Sequence, residues 1–162
     1  MRNLPSSFEV CEKKFARHSA RWSGKIANNT YLEHGTDGAL TFYAVRLHRT
    51  CIVTFYSNGE VLLNTGGWNT VTTRQRMRDC GVNVGTTAGV LTVRHGGNEW
   101  AFADSITLHA NGTVSAEWAV PAAEEIRDAR AAKRREIVRR RAAERERIRA
   151  HVKSFAAAAV AK

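Results

Sequence analysis

The feature that most constrains this chain is a change of alphabet at Pro121. All 12 glycines precede it, and the residues from Ala122 to Lys162 are chiefly Ala, Arg, Glu and Ile, with neither Gly nor Pro. Such a stretch favours helix, because alanine and straight-chain residues lose little freedom on entering one. Pro121 suits the start of that helix, where its missing N–H would be unpaired anyway. A helix of roughly 35 residues is ~50 Å long, more than a domain of this size can cover. The chain therefore divides into an N-terminal arm over 1–24, a β-rich domain over 25–120 and a helical extension over 121–162.

Charge follows the same division. Residues 1–120 hold 12 Lys/Arg against 9 Asp/Glu, and residues 121–162 hold 13 against 6, so the extension contributes +7 of the net +10. A basic extension attracts nucleic acid, an anionic membrane or an acidic partner. Large apolar residues are scarce opposite the charge, which disfavours a membrane-surface helix. The run Arg134-Arg-Glu-Ile-Val-Arg-Arg-Arg141 resembles a basic region laid along a phosphate backbone, where Arg134, Arg135, Arg139, Arg140, Arg141 and Arg145 would displace counterions. The competing reading is a solvated helix with partial ion pairing. Glu125-Ile126, Glu136-Ile137 and Arg147-Ile148 recur every 11 residues, which keeps the isoleucines nearly on one line. Val152, Phe155 and Ala159 continue that line. Lys133, Arg140, Arg141 and Glu144 interrupt it, so self-association through this helix stays an alternative.

Before Pro121 the pattern is β-like, with short alternating runs between turn residues. Strands are predicted over Lys25–Glu33, Thr41–His48, Thr50–Tyr56, Val61–Asn64, Val90–Arg94, Glu99–Ala103, Ser105–His109 and Thr113–Trp118, with a break near Gly81–Gly85. Asn58-Gly59, Gly96-Gly97 and Asn111-Gly112 supply hairpin chemistry. Together with one short helix these strands predict an α+β fold. Its core is a small antiparallel β-rich domain, a bent sheet or partly open barrel, followed by the long basic helix. The predicted core comprises Ile52, Val53, Phe55, Val61, Leu63, Val90, Leu91, Val93, Phe102, Ile106 and Leu108. In the arm, Phe8–Phe15 has weak helical periodicity, and the aromatics Phe8, Phe15 and Trp22 are expected to dock on the domain.

Between the fourth strand and the break lies Thr65-Gly-Gly-Trp-Asn-Thr-Val-Thr-Thr-Arg-Gln-Arg-Met77. Two glycines permit a sharp turn, and Thr72 or Thr73 can cap a short helix. Arg74, Arg76 and Arg78 would surround its N-terminus, where free N–H groups favour an anion. Trp68 could stack on a base. The plainer alternative is a structural turn with Trp68 plugged into the core. Neither a Walker lysine nor a Gly-x-Gly-x-x-Gly motif is present, which disfavours a nucleotide-binding loop.

The histidines show no metal-ligand spacing. His34, His48, His95 and His109 could converge with Asp104 or Glu99 only through the fold. Cys11, Cys51 and Cys80 are odd in number and widely spaced, as expected of reduced thiols rather than a disulfide scaffold or zinc site. Metal and cofactor are accordingly not expected. No run approaches the ~20 apolar residues of a membrane span, and no signal-peptide core is present, which predicts a soluble intracellular protein.

The segments Leu47-His48-Arg-Thr-Cys-Ile-Val-Thr-Phe55 and Asn58-Gly-Glu-Val-Leu-Leu-Asn-Thr-Gly-Gly-Trp-Asn-Thr-Val-Thr-Thr-Arg-Gln-Arg-Met77 resemble a family of uncharacterised bacteriophage proteins. That family has a Leu-His-Gly-like strand before an Asn-x-Gly-Gly-Trp-x-Thr-x-Thr-Thr-x-Arg motif, and Trp100-Ala-Phe-Ala-Asp104 is similar to a later segment of it. The likeness spans about residues 40–110, and Arg49 stands where glycine is expected. It implies a phage protein in the host cytoplasm or the virion, and no activity. The resulting expectation is a non-enzymatic accessory protein. It would bind nucleic acid, or a nucleic-acid-handling host complex, through the basic helix and the Trp68–Arg78 element. The alternatives are a protein–protein module, in virion assembly or host inhibition, and a small hydrolase or nuclease.

Overall fold

The computed structural model describes residues 4–17, 23–115, 117 and 119–160, with 152–160 described by backbone alone. Turn chemistry sets the layout. A six-stranded antiparallel sheet comprises β1 (Ser23–Ala27), β2 (Thr30–Asp37), β3 (Leu40–Leu47), β4 (Thr50–Tyr56), β5 (Val61–Leu63) and β9 (Ile106–Leu108), in that spatial order. A second sheet of β6 (Asn83–Thr87), β7 (Val90–His95) and β8 (Asn98–Ala101) is inserted between β5 and β9 in the chain. Helix α1 (Phe8–Phe15) precedes the strands, α2 (Val71–Asp79) links the sheets, and α3 (Ala122–Val160) follows them. The architecture is α+β with two open sheets, not a closed barrel.

Several boundaries differ from the sequence pattern, each for a local reason. Lys25–Glu33 is not one strand but the β1–β2 hairpin, turning at Asn28-Asn29, where Asn29 adopts φ 51°. Asparagine tolerates this left-handed conformation better than other non-glycine residues. The expected break at Gly81–Gly85 ends early, because Asn83–Thr87 pairs with β7 throughout, Gly85 facing Thr92. The expected strand Thr113–Trp118 is reduced to one bridge between Leu108 and Val114, with residues 116 and 118 outside the described part. Among the described residues two short α-helices form rather than one. Ser7 caps α1 by accepting the Val10 N–H at 3.3 Å, and Phe8 and Phe15 set their rings 5.1 and 5.6 Å from Tyr43. Trp22 lies outside the described residues.

The core runs between the sheets and under α1 and α2. Of the predicted set, Ile52, Val53, Phe55, Leu63, Leu91, Val93, Ile106 and Leu108 are buried, whereas Val61, Val90 and Phe102 are only partly so. Leu32, Val45, Met77, Cys11 and Cys80 are among the residues that join them. Helix α2 buries Thr73 and Met77, one turn apart on its inner face.

Side-chain alternation assigns the two faces of the small sheet. Val84, Val93 and Trp100 are cross-strand partners on the face that joins the core with Met77. Thr92 pairs with Ala101 and Arg94 with Glu99 on the other face, and α3 packs on β7 and β8. Ala122, Thr92 and Ala101 are buried there. The small sheet therefore lies between α2 and the start of α3.

Two hairpin turns lock the sheets at one end. A Cβ on Gly96 would lie 2.0 Å from the Gly112 carbonyl oxygen, so neither chain can yield without separating the turns. Gly96 also sits at φ 57°, a conformation that an L side chain strains.

Candidate nucleic-acid interface

Asp104 organises the Gly-Gly-Trp turn. Its Oδ1 accepts the Thr65 N–H at 2.5 Å and the Thr65 hydroxyl at 2.8 Å, and its Oδ2 accepts the Gly67 N–H at 2.9 Å. The Asn64 side chain takes the Gly66 N–H at 2.7 Å. These N–H groups, which would otherwise cradle an anion, are thus engaged by the protein's own side chains. The turn holds Trp68 outward, 70 % exposed, rather than plugged into the core.

The helix cap falls earlier than the sequence suggests. Thr70, not Thr72 or Thr73, accepts the Thr73 N–H at 3.1 Å, and its hydroxyl lies 2.9 Å from that of Thr73. Because α2 starts at Val71, Arg76 and Arg78 fall in its last turn, where they complement the negative end of the dipole instead of encircling an N-terminal anion. Arg74 reaches back to the Asn69 carbonyl and side chain at 3.1 and 2.7 Å. Arg76 pairs with Asp79 at 3.3 Å. Arg78 is exposed beside Lys13 and Lys14 of α1 and Arg17 just after it. The six site residues predicted in this element are therefore not one cluster. Trp68 and Thr72 face solvent, Thr73 is buried, and the three arginines point to different neighbours.

A different grouping replaces it. Trp68, Thr70, Thr72 and Thr73 line a pocket of about 450 Å³ with His48 and Arg49 from the β3–β4 turn. The two halves of the resemblance motif, some twenty residues apart in sequence, form its opposite walls. His48 takes φ 54°, so this residue rather than Arg49 absorbs the left-handed turn conformation. That leaves the Arg49 side chain exposed at the rim. Arg46 is tied down by Glu33 at 2.5 Å, the His48 carbonyl and the face of Tyr31. His48 and Arg49 were not among the expected site residues. Their closeness to the Trp68 turn is a tertiary fact, and the only sequence hint is the substitution of the expected glycine.

The histidines converge partly, and with another acid. His109 Nδ1 lies 2.7 Å from Glu60 Oε1, and His95 Nε2 lies 2.7 Å from the His109 carbonyl oxygen. Glu60 is held below the usual carboxylate range by its hydrogen bonds with Asn58 and His109. Asp104 serves the turn described above, and Glu99 accepts the Thr92 hydroxyl at 2.8 Å and lies 3.6 Å from Arg94. His34 packs on Phe15 and Tyr43. No group of three His, Cys, Asp or Glu among the described residues could hold a metal. Cys11 and Cys80 are buried free thiols; burial pushes Cys11 up to about 12 and Cys80 higher still.

Helix α3 leaves the protein surface within three turns. Ile126, Ala129 and Ala131 are half-buried, and from residue 132 to 151 every side chain is exposed. Arg127, Arg130 and Arg134 flank a wedge-shaped groove between the helix and the small sheet, opposite Thr87 and Glu99. Arg135 and Arg139 are exposed, while Arg140, Arg141 and Arg145 gather around Ile137 and Glu144. Among the described residues, none of the arginines from Arg134 to Arg149 forms an ion pair. Val152, Phe155 and Ala159, which extend the isoleucine line, lie outside the residues with described side chains. The arginines of α2 and the first turns of α3 stand on opposite sides of the small sheet.

No described helix is long and apolar enough to cross a membrane. No curated protein and no solved structure matches the chain. The model of one family, Kyanoviridae Gp96 protein, matches residues 9–109, which takes in α1, both sheets and the Trp68 turn but not α3. The match covers more than half of the chain, and the chain belongs to this cyanophage protein family.

Proposed function

We propose that this phage protein binds nucleic acid through the phosphate backbone, with α3 as the main contact and the Trp68–Arg49 pocket as a second one. The exposed stretch 132–151 carries the reading: nine Lys/Arg against three Glu, a net of +6 with all side chains in solvent. Charge at this density is costly for a helix to hold in solution, and a polyanion relieves the repulsion by giving up its condensed counterions. A straight helix of 39 residues is about 58 Å long, enough to track more than one turn of a duplex. Base identity is not needed for such contacts. An exposed tryptophan beside an arginine suits stacking on an unpaired base, which typically contributes ~1–3 kcal/mol. The reading is of a non-enzymatic accessory protein, placed in the infected host's cytoplasm or carried with the virion. A protein–protein role is favoured by a separate observation, the exposure of Ile137, Val138 and Ile148 on the same helix.

Fluorescence anisotropy with duplex and single-stranded oligonucleotides between 50 and 300 mM salt tests the proposal. Affinity is expected to fall steeply with salt, and a chain ending at Ala131 should lose most of that slope. Trp68→Ala should weaken single-strand binding by about tenfold and leave duplex binding nearly unchanged. An intact chain that binds neither oligonucleotide at 50 mM salt refutes the proposal.

A further inference from the structure

On the exposed part of α3, Ile137, Arg140, Arg141 and Glu144 surround a shallow dent with Arg145 at its rim. Residues at i, i+3, i+4 and i+7 are the four that receive a knob from a facing helix in coiled-coil packing. Ile137, 44 % exposed, and Glu144 stand at the two ends of this hole, and three arginines line its sides. The knob that fits is an acidic side chain flanked by an apolar one. The same helix supplies both: Glu144, and Ile148 at 56 % exposure.

We infer that α3 pairs with a second copy of itself, antiparallel, about a two-fold axis between Ala142 and Ala143. In that register Ile137 meets the second copy's Ile148, and Glu144 enters the hole between Arg140 and Arg141. Symmetry repeats both contacts, as an isologous interface requires. The spacing 137, 141, 144, 148 alternates four and three residues, so all four stay on one face, and antiparallel pairing brings Arg141 opposite Glu144. A parallel pair in register would instead set Arg141 against Arg141 and Glu144 against Glu144, a like-charge mismatch at both layers. Flanking arginines, among them Arg140 and Arg147, repel across the pair, so association should tighten as salt screens them. This dependence is opposite in sign to that of nucleic-acid binding, and the inference stands whether or not nucleic acid binds.

Sedimentation equilibrium of the full chain at 150 and 500 mM salt is the test. The expected result is a monomer–dimer equilibrium, from 18.0 kDa to twice that mass, shifted to dimer at the higher salt. Ile137→Asp with Ile148→Asp should leave a monomer; both positions are exposed, so the fold is not at risk. For the register, I137C and I148C variants are oxidised singly and mixed, with Cys11 and Cys80 buried and Cys51 replaced by Ser. The mixture should crosslink far more than either variant alone. A parent chain that stays monomeric to ~0.1 mM at both salts overturns the pairing. Preferential 137–137 crosslinks overturn the antiparallel register.

Discussion

Asp104 is the residue whose removal should reveal most about how the Trp68 turn is held. Its carboxylate accepts three hydrogen bonds, two from Thr65 and one from the Gly67 N–H, and Thr65 is only 5 % exposed. Hydrogen bonds to a charged acceptor are worth ~1.5–3 kcal/mol, and a buried donor left unpaired costs ~1–3 kcal/mol. Water can reach Gly67, so its share is small. Asp104→Ala strands both Thr65 donors and should cost about 3–4 kcal/mol, which lowers Tm by roughly 10 °C for a chain of this length. Asp104→Asn keeps an acceptor for Thr65 but turns an amide N–H₂ toward the Gly67 N–H. It should cost about half as much. Urea unfolding gives the two values, and hydrogen exchange at the Thr65 and Gly67 amides places the loss locally. If the two variants are equal and each costs under ~1 kcal/mol, Asp104 is not the clamp described above.

Two further outcomes follow from packing and burial. Gly96→Ala must separate the two hairpin turns as well as strain φ, and a loss of about 3 kcal/mol or more is expected in urea unfolding, against a smaller loss of about 1–2 kcal/mol for Gly97→Ala, where φ is 80° but a Cβ meets nothing within 4 Å. Cys11 and Cys80 ionise far less readily folded than unfolded, where the ordinary value is 9.0. Their contribution is therefore fully present below pH 9 and is lost as pH rises toward about 12. Thiol titration at pH 8 should leave both unreactive until the chain is unfolded, and prompt reaction of two or more thiols in the native protein would contradict their burial.

Legibility in the sequence varied with the kind of signal. The Asn-Gly, Gly-Gly and Pro121 signals act within a few residues, through φ > 0 and a missing N–H, so most strands and the long helix could be placed from them. The β1–β2 hairpin was lost because Asn28-Asn29 signals a turn weakly, and β6 because Gly85 and its neighbours read as a loop until Thr92 pairs with them. The cap on α2 was misplaced among four threonines of equal chemistry. Which hydroxyl caps depends on where the Asp104 clamp ends the turn.

Local chemistry and composition thus determined the α+β class, the charge asymmetry and an arginine helix longer than the domain it leaves. The tertiary structure decided the rest, because contacts across forty residues or through a sheet have no local signature. It alone placed Asp104 under the Gly-Gly-Trp turn, His48 and Arg49 opposite Trp68, and Glu60 rather than Asp104 or Glu99 beside His109. It also inserted the small sheet between α2 and the first turns of α3, so two basic stretches that look alike in sequence start on opposite faces of that sheet.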